Sequence, residues 1–260
     1  MTIDFNTTLT LLEHRLTQEE QMPAVTDRLD LEWRLVRRKQ SEQMLISLAE
    51  HLKQLQSRLR ALSPLPPLAQ VHWAEAVLRF PNLAFVVLET TGIAHTADIL
   101  RLVVADGHAT MLFDQVIQPQ RERNQPNTRY TGLTLEQITH APPLAEVWQQ
   151  FTRTLAGRYV AAYNLSFVQE HLDENAAHYA LPPVFLIGDC LQERASTYYH
   201  ASSSLRLADA LVRIGYTLPA PAPAPARAQG QLALLQAMSE GMTSVRPPAT
   251  EPGQEEEAPF

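Results

Sequence analysis

The sequence predicts an α/β domain built on a central sheet, preceded by a long helical segment, and three observations carry that expectation. Residues 84–88 form a short continuous apolar run, suited to a central strand covered on both faces. Two more β-rich runs follow at 99–105 and 110–117, joined by Asp106, Gly107 and His108, which supply turn chemistry. Helical and strand patterns then alternate as far as residue 241, and runs of strands followed by alternation indicate an α/β fold.

The elements follow in order. Residues 5–62 read as helix, broken near Met22 and Pro23. Within it Leu45, Leu48, Leu52, Leu55, Leu59 and Leu62 alternate spacings of three and four, the pattern of a coiled-coil seam. The register fails before Met44, where Ser41 and Arg38 fall on the stripe. Pro64, Pro66 and Pro67 break the helix by removing donors and biasing their neighbours away from it. A short helix at about 70–80 makes residues 65–82 a helical linker. In the domain, 135–138 and 144–155 predict helices, 159–162 a strand, 167–179 a helix and 184–187 a strand. A helix at 205–214 ends at Gly215. Residues 219–225 alternate Pro and Ala and predict an extended connector, followed by a last helix at 229–238. The Pro-, Glu- and Thr-rich residues 242–260 predict a disordered acidic tail.

The composition narrows the function classes. A net charge of −7 over 260 residues argues against a surface that binds nucleic acid everywhere. The charge is uneven, however. Residues 34–60 hold Arg34, Arg37, Arg38, Lys39, Lys53, Arg58 and Arg60 against Glu42 and Glu50, whereas Glu251, Glu255, Glu256 and Glu257 make the tail acidic. The one cysteine, Cys190, excludes an internal disulfide and a cysteine-rich zinc site. Asp4 and Glu13 stand where a signal peptide would need a basic start and an apolar run, and no stretch has the length of a membrane span, so a cytoplasmic location is expected.

Several motifs, in order, resemble the DnaQ-like 3′→5′ exonucleases with an Asp-Glu-Asp-Asp metal set and a catalytic His (DEDDh), over about residues 83–238. Their first motif is a strand ending Asp-x-Glu-Thr-Thr-Gly; here it is Val87, Leu88, Glu89, Thr90, Thr91, Gly92. Gly132, Leu133 and Thr134 stand before a helix where the family often has Gly-Ile-Thr. The second motif, His/Tyr-Asn-x-x-Phe-Asp, is Tyr163, Asn164, Leu165, Ser166, Phe167, Val168, and Asp189 follows the next strand. Residues 204–211 with Gly215 are similar to the helix before the third motif. That motif, His-x-Ala-x-x-Asp, aligns to 226–231, with Ala226 at the His position and Gln231 at the Asp position. The resemblance implies a ribonuclease H-like domain with a mixed central sheet.

It also implies two divalent cations, which activate a water and stabilise the leaving oxygen. Hard cations require oxygen ligands, mainly carboxylates. This sequence keeps Glu89 but places Val87, Val168 and Gln231 at the three Asp positions and Ala226 at the His position. Valine offers no lone pair, and one carboxylate cannot hold two divalent ions. The expectation is therefore a catalytically inactive module, without cofactor, that serves nucleic-acid binding or assembly. The alternatives are an active exonuclease using magnesium or manganese with substitute carboxylates (Glu89, Asp98, Asp189), or a protein-interaction scaffold without a nucleic-acid role.

Each residue has two readings. Glu89 is a residual ligand or a hydrogen-bonded remnant. Thr90, Thr91 and Gly92 admit a phosphate or base, or simply close a turn. Tyr163, Asn164 and Phe167 contact a nucleotide, or Asn164 caps a helix. His171, Glu174 and His178 share a helix face, which reads as solvated rather than as a metal site. Arg34, Arg37, Arg38 and Lys39 track the phosphates of single-stranded DNA or RNA, or flank a coiled coil. The leucine stripe predicts a homodimer or a protein partner through the N-terminal helices; the lack of a span-length apolar stretch predicts no membrane partner.

Overall fold

The computed structural model describes residues 5–121 and 131–243. The chain divides into two compact units at Pro64. The first is a helical hairpin, α1 (Phe5–Glu20) and α2 (Arg28–Arg60). The break expected near Pro23 lies between them. Asp27 caps α2 by accepting the Asp30 backbone N–H at 2.8 Å. Arg34 locks the turn, bonding to the Pro23 carbonyl at 2.8 Å and Asp30 at 2.9 Å.

The helices of the hairpin are antiparallel. Glu19 meets Arg38, Gln18 meets Arg37, Arg15 meets Gln40 and Met44, and Phe5 faces His51. At 1.5 Å per residue α2 is about twice as long as α1. Of the leucine stripe only Leu48 is buried; Leu45, Leu52, Leu55, Leu59 and Leu62 are exposed. The face of α2 that α1 covers includes Ser41, Met44 and Leu48, so it meets the stripe only at Leu48.

The second unit begins with α3 (Leu68–Leu78). It is not a linker: Ala74 and Val77 lie in the domain core. The sheet comprises β1 (Leu83–Thr90), β2 (Ile99–Asp106), β3 (Met111–Val116), β4 (Tyr159–Ala162) and β5 (Ile187–Cys190), in the order β3-β2-β1-β4-β5. The first three strands are antiparallel, and β4 and β5 run parallel to β1, so the sheet is mixed. As the apolar run predicts, β1 is central and buried on both faces.

Around the sheet lie α4 (Leu135–Thr139), α5 (Leu144–Leu155), α6 (Leu165–His178), α7 (Leu191–Tyr198), α8 (Leu207–Arg213) and α9 (Ala224–Ser239). Leu83, Phe85, Val87, Val103 and Ala161 pack on one face against α3, α7, α8 and α9. Ala84, Val86, Leu88, Leu102, Val104 and Val160 pack on the other against α5 and α6. This alternation is the two-residue period of a strand.

Three elements differ from expectation. The strand expected at 184–187 begins at Ile187. Pro182 and Pro183 donate nothing, and the Leu186 N–H goes to the Gln169 side chain, so pairing starts where Ile187 meets Tyr159. Helix α7 was not anticipated; its pattern is short, and no side chain caps it. The Pro/Ala connector is shorter than expected. Helix α9 starts at Ala224, with Pro225 in its first turn, where a missing N–H costs nothing. Gly215 ends α8 at a φ of 72°, as its position predicts. Gly230 lets α9 approach α8; a Cβ there would lie 2.7 Å from Leu211 Cδ1. The tail from residue 244 lies outside the described residues.

Candidate functional site

The C-terminal end of β1, the turn after it, the start of α6 and the first turns of α9 converge on two adjoining cavities. One, of about 550 Å³, is lined by Leu88, Glu89, Thr90, Gly92, Ile93, Thr131, Phe167 and Arg227. The other, of about 120 Å³, is lined by Val87, Tyr163, Phe167, Val168, Leu207, Arg227 and Gln231, among others. Residues from all three motifs therefore meet, although they are far apart in sequence. Ala226 is half-buried on α9, one residue before Arg227.

Glu89 is 2 % exposed. Its Oε1 accepts the Ala224 backbone N–H at 2.7 Å and faces Arg227 Nη2 at 3.2 Å, while Oε2 has no hydrogen-bond partner among the described residues. Burial raises the carboxyl above its usual range; Arg227, the Ala224 N–H and Arg101 oppose this without cancelling it. Arg227 was missed by the sequence reading. Its only signal was a cation one residue after the aligned His position, and nothing local says that it reaches β1.

Val87 and Val168 are 5 % and 3 % exposed, so their side chains belong to the packed interior. The Gln231 amide oxygen accepts the Tyr163 backbone N–H at 3.1 Å. The Tyr163 hydroxyl donates to the Leu205 carbonyl at 2.7 Å. Burial is the main reason that this phenol titrates above its usual range. Asn164 adopts a left-handed conformation (φ 66°) and caps α6, accepting the Phe167 N–H at 3.3 Å. The Thr90 hydroxyl donates to the Gly92 carbonyl at 2.7 Å, and Thr91 accepts the Asp98 N–H at 3.0 Å, so both hydroxyls close the turn. Phe167 and the 94 % exposed Ile93 leave an apolar mouth on the larger cavity.

The substitute carboxylates are engaged elsewhere. Asp98, 1 % exposed, accepts the Tyr179 hydroxyl at 2.7 Å and the Arg121 N–H at 3.0 Å, and it pairs with Arg121 Nε at 3.3 Å. Asp189 accepts from Trp73 at 2.7 Å, from Arg194 at 3.1 Å and from the Tyr159 hydroxyl. Burial would raise the Asp189 carboxyl, but these donors overcome it and hold it below its usual range.

Among the described residues, those that line the cavities do not fit a two-metal centre. The cavity floor offers hydrocarbon at Val87 and Val168, an amide already used at Gln231, and one carboxylate facing a guanidinium. Among the described residues no three His, Cys, Asp or Glu side chains gather where they could hold a metal ion. The expected solvated face of His171, Glu174 and His178 is also corrected. His171 is buried, with its ring nitrogens 2.9 and 3.1 Å from the carbonyls of Phe167 and Ala94; the helix face turns inward there to tie down the turn after β1. Glu174 faces Arg121, and His178 packs on Tyr179.

In the helical hairpin three of the four basic candidates serve its own contacts. Arg34 holds the turn, Arg37 bonds to Gln18 and lies over the Trp33 ring, and Arg38 pairs with Glu19 at 2.9 Å; Lys39 is exposed. Among the described residues no helix is long and apolar enough to cross a membrane.

The Glu89 geometry gives a first prediction. Because its folded pKa is raised, its contribution to stability is full below the ordinary value of 4.5 and is lost as pH rises through the folded value. Glu89→Gln, which keeps an acceptor for Ala224, is expected to cost less than about 1 kcal/mol at neutral pH. Glu89→Ala strands that N–H and should cost about 1–3 kcal/mol. Urea melts at pH 5 and pH 8 check both; a wild-type advantage over Glu89→Gln that grows with pH would contradict the assignment.

No protein-family model matches the chain, and the search of curated proteins found no match. Solved structures do match. The nuclease domain of 3′hExo, a DEDDh family member bound to rAMP, aligns at 15 % identity over 63 % of this chain and 94 % of its own, with a TM-score of 0.52. A 3′-exonuclease in a structure of histone mRNA stem-loop recognition aligns at 13 % identity over 62 % and 83 %, with a TM-score of 0.51. Product-bound exonuclease I aligns at 14 % identity over 61 % and 43 %, with a TM-score of 0.50. At such identities the likeness speaks to architecture, and the chain carries the fold of the DnaQ-like, DEDDh 3′→5′ exonucleases.

Proposed function

We propose that this protein is an exonuclease-fold module without hydrolytic activity, which binds single-stranded nucleic acid in the old cleft and assembles with a second copy through its N-terminal hairpin. The observation that carries the loss of hydrolysis is the cavity floor: Val87 and Val168 buried, and the one carboxylate facing Arg227. Phosphoryl transfer in a two-metal site needs oxygens that clamp both ions, and among the described residues this floor supplies one carboxylate, already engaged. Nucleic-acid binding is supported by the larger cavity, where Phe167 offers a stacking face and Arg227 a cation. Labelled single strands incubated with and without manganese should be bound but not cut, with affinity falling as salt rises. Manganese-dependent cleavage abolished by Glu89→Ala would overturn this and favour the active alternative.

The assembly role is supported by the exposed Leu45, Leu52, Leu55 and Leu59, an apolar stripe that a lone hairpin leaves in water. Ala49, His51, Gln56 and Arg58 flank it and select no oppositely charged partner, so a second copy of the same stripe fits. Sedimentation should show a dimer at micromolar concentration and a monomer after Leu52→Glu with Leu59→Glu. A monomeric wild-type chain at high micromolar concentration would sink the idea. The engagement of Arg34, Arg37 and Arg38 within the hairpin favours a second reading, a scaffold without nucleic acid. A dimer that binds no strand would select it.

A further inference from the structure

We infer that, among the described residues, the Arg227 guanidinium is the fixed cation of this cleft, held by the chain beside Glu89 where divalent ions would otherwise have to bind. Position comes first. Arg227 Nη2 lies 3.2 Å from Glu89 Oε1 and 3.3 Å from the Leu88 carbonyl, so the side chain reaches across the end of β1. It lines both cavities, and α9, which carries it, also carries Gln231 on the floor of the smaller one. The Ala224 N–H, one turn earlier on α9, fixes the same carboxylate oxygen at 2.7 Å.

Charge balance agrees with position. Four carboxylates with two divalent ions are neutral, and so is Glu89 with Arg227. Once Val87, Val168 and Gln231 stand in place of carboxylates, a single monovalent cation is all that the remaining acid requires. A divalent ion approaching Glu89 would meet like charge in a setting where water screens it poorly. Arg227 is thus an exclusion device as well as a counter-ion, and restoring the carboxylates would not by itself restore metal binding.

The inference rests on the reading of the cleft as inactive and names the residue that keeps metal out. Manganese alone is titrated, by calorimetry and by its paramagnetic resonance, into the native chain, the V87D/V168D/Q231D variant and the same variant with R227A. The expected result is no binding to the native chain at millimolar metal, and at least tenfold tighter binding without Arg227 than with it. Equal affinities in the two carboxylate variants would overturn the inference alone; binding with strand cleavage by the native chain would overturn the inactive reading as well. Should the carboxylate variants not fold, R227M and R227K in an otherwise native chain decide. A cation role predicts that R227M melts several degrees lower in chelator while R227K keeps most of the stability. If R227M melts with the wild type, Arg227 only packs and the inference fails.

Discussion

Replacing Val87 and Val168 together with aspartate is expected to destabilise the fold by roughly 4 kcal/mol or more in metal-free buffer, the scale of burying unpaired charge in a core. Val87 belongs to the core cluster that includes Phe85 and Leu235 on one side of the sheet, and Val168 to the cluster that includes Leu88 and Leu172 on the other. Both line the smaller cavity, of about 120 Å³, where two new carboxylates would lose water and repel one another. For a domain of this size the melting temperature should fall by roughly 10 °C. Val87→Thr, which adds a hydroxyl but no charge, should cost much less. Melting in chelator checks the series. A double aspartate variant within 1 °C of the wild type would mean that these positions reach solvent and that the floor is not the apolar surface described above.

Asp98→Ala is expected to be comparably damaging, at about 3–5 kcal/mol, because it removes the buried carboxylate that Arg121 and Tyr179 share. Asp98 receives the Tyr179 hydroxyl, the Arg121 N–H and the Arg121 guanidinium, which also meets Glu174 and the Thr96 carbonyl, and its backbone pairs with Thr91. The Tyr179 phenol is pushed up to about 12, first by burial and then by this carboxylate. Loss of Asp98 should therefore free the turn that carries Ile93 at the cavity mouth, visible as faster amide exchange over residues 91–98. Glu174→Ala is the internal control. Glu174 meets Arg121 at 3.4 Å and is about one-third exposed, so its loss should cost under about 1 kcal/mol. Equal, small effects of the two substitutions would show that the Asp98 network is not what holds the turn. A gain in stability on adding manganese to the wild type, lost in Asp98→Ala, would return Asp98 to the role of a metal ligand.

The order of strands and helices was legible in the sequence because it rests on local signals. The apolar run of β1, the turn at Asp106 and Gly107, the Asn164 cap and the stop at Gly215 each act within a few residues. The leucine spacing likewise foretold a stripe on α2, although which part of it α1 would cover could not be read from one helix. The absence of aspartate at residues 87 and 168 was also plain from the chain alone. Other features were decided only by tertiary structure, since their partners lie far away in sequence. Pairing with Tyr159 sets where β5 begins. Packing on β1 and on α8 carries α9 back into the Pro/Ala stretch, because burying Ala224, Ala228 and Gly230 outweighs the weak local preference of alternating prolines. The basic residues of α2 read equally as a phosphate-tracking surface or as the flank of a coiled coil, and only the fold shows Gln18 against Arg37 and Glu19 against Arg38. Arg227 is the sharpest case. Glu89 and Arg227 are 138 residues apart, and only the docking of α9 on the end of β1 brings them within 3.2 Å and gives the buried acid its cation.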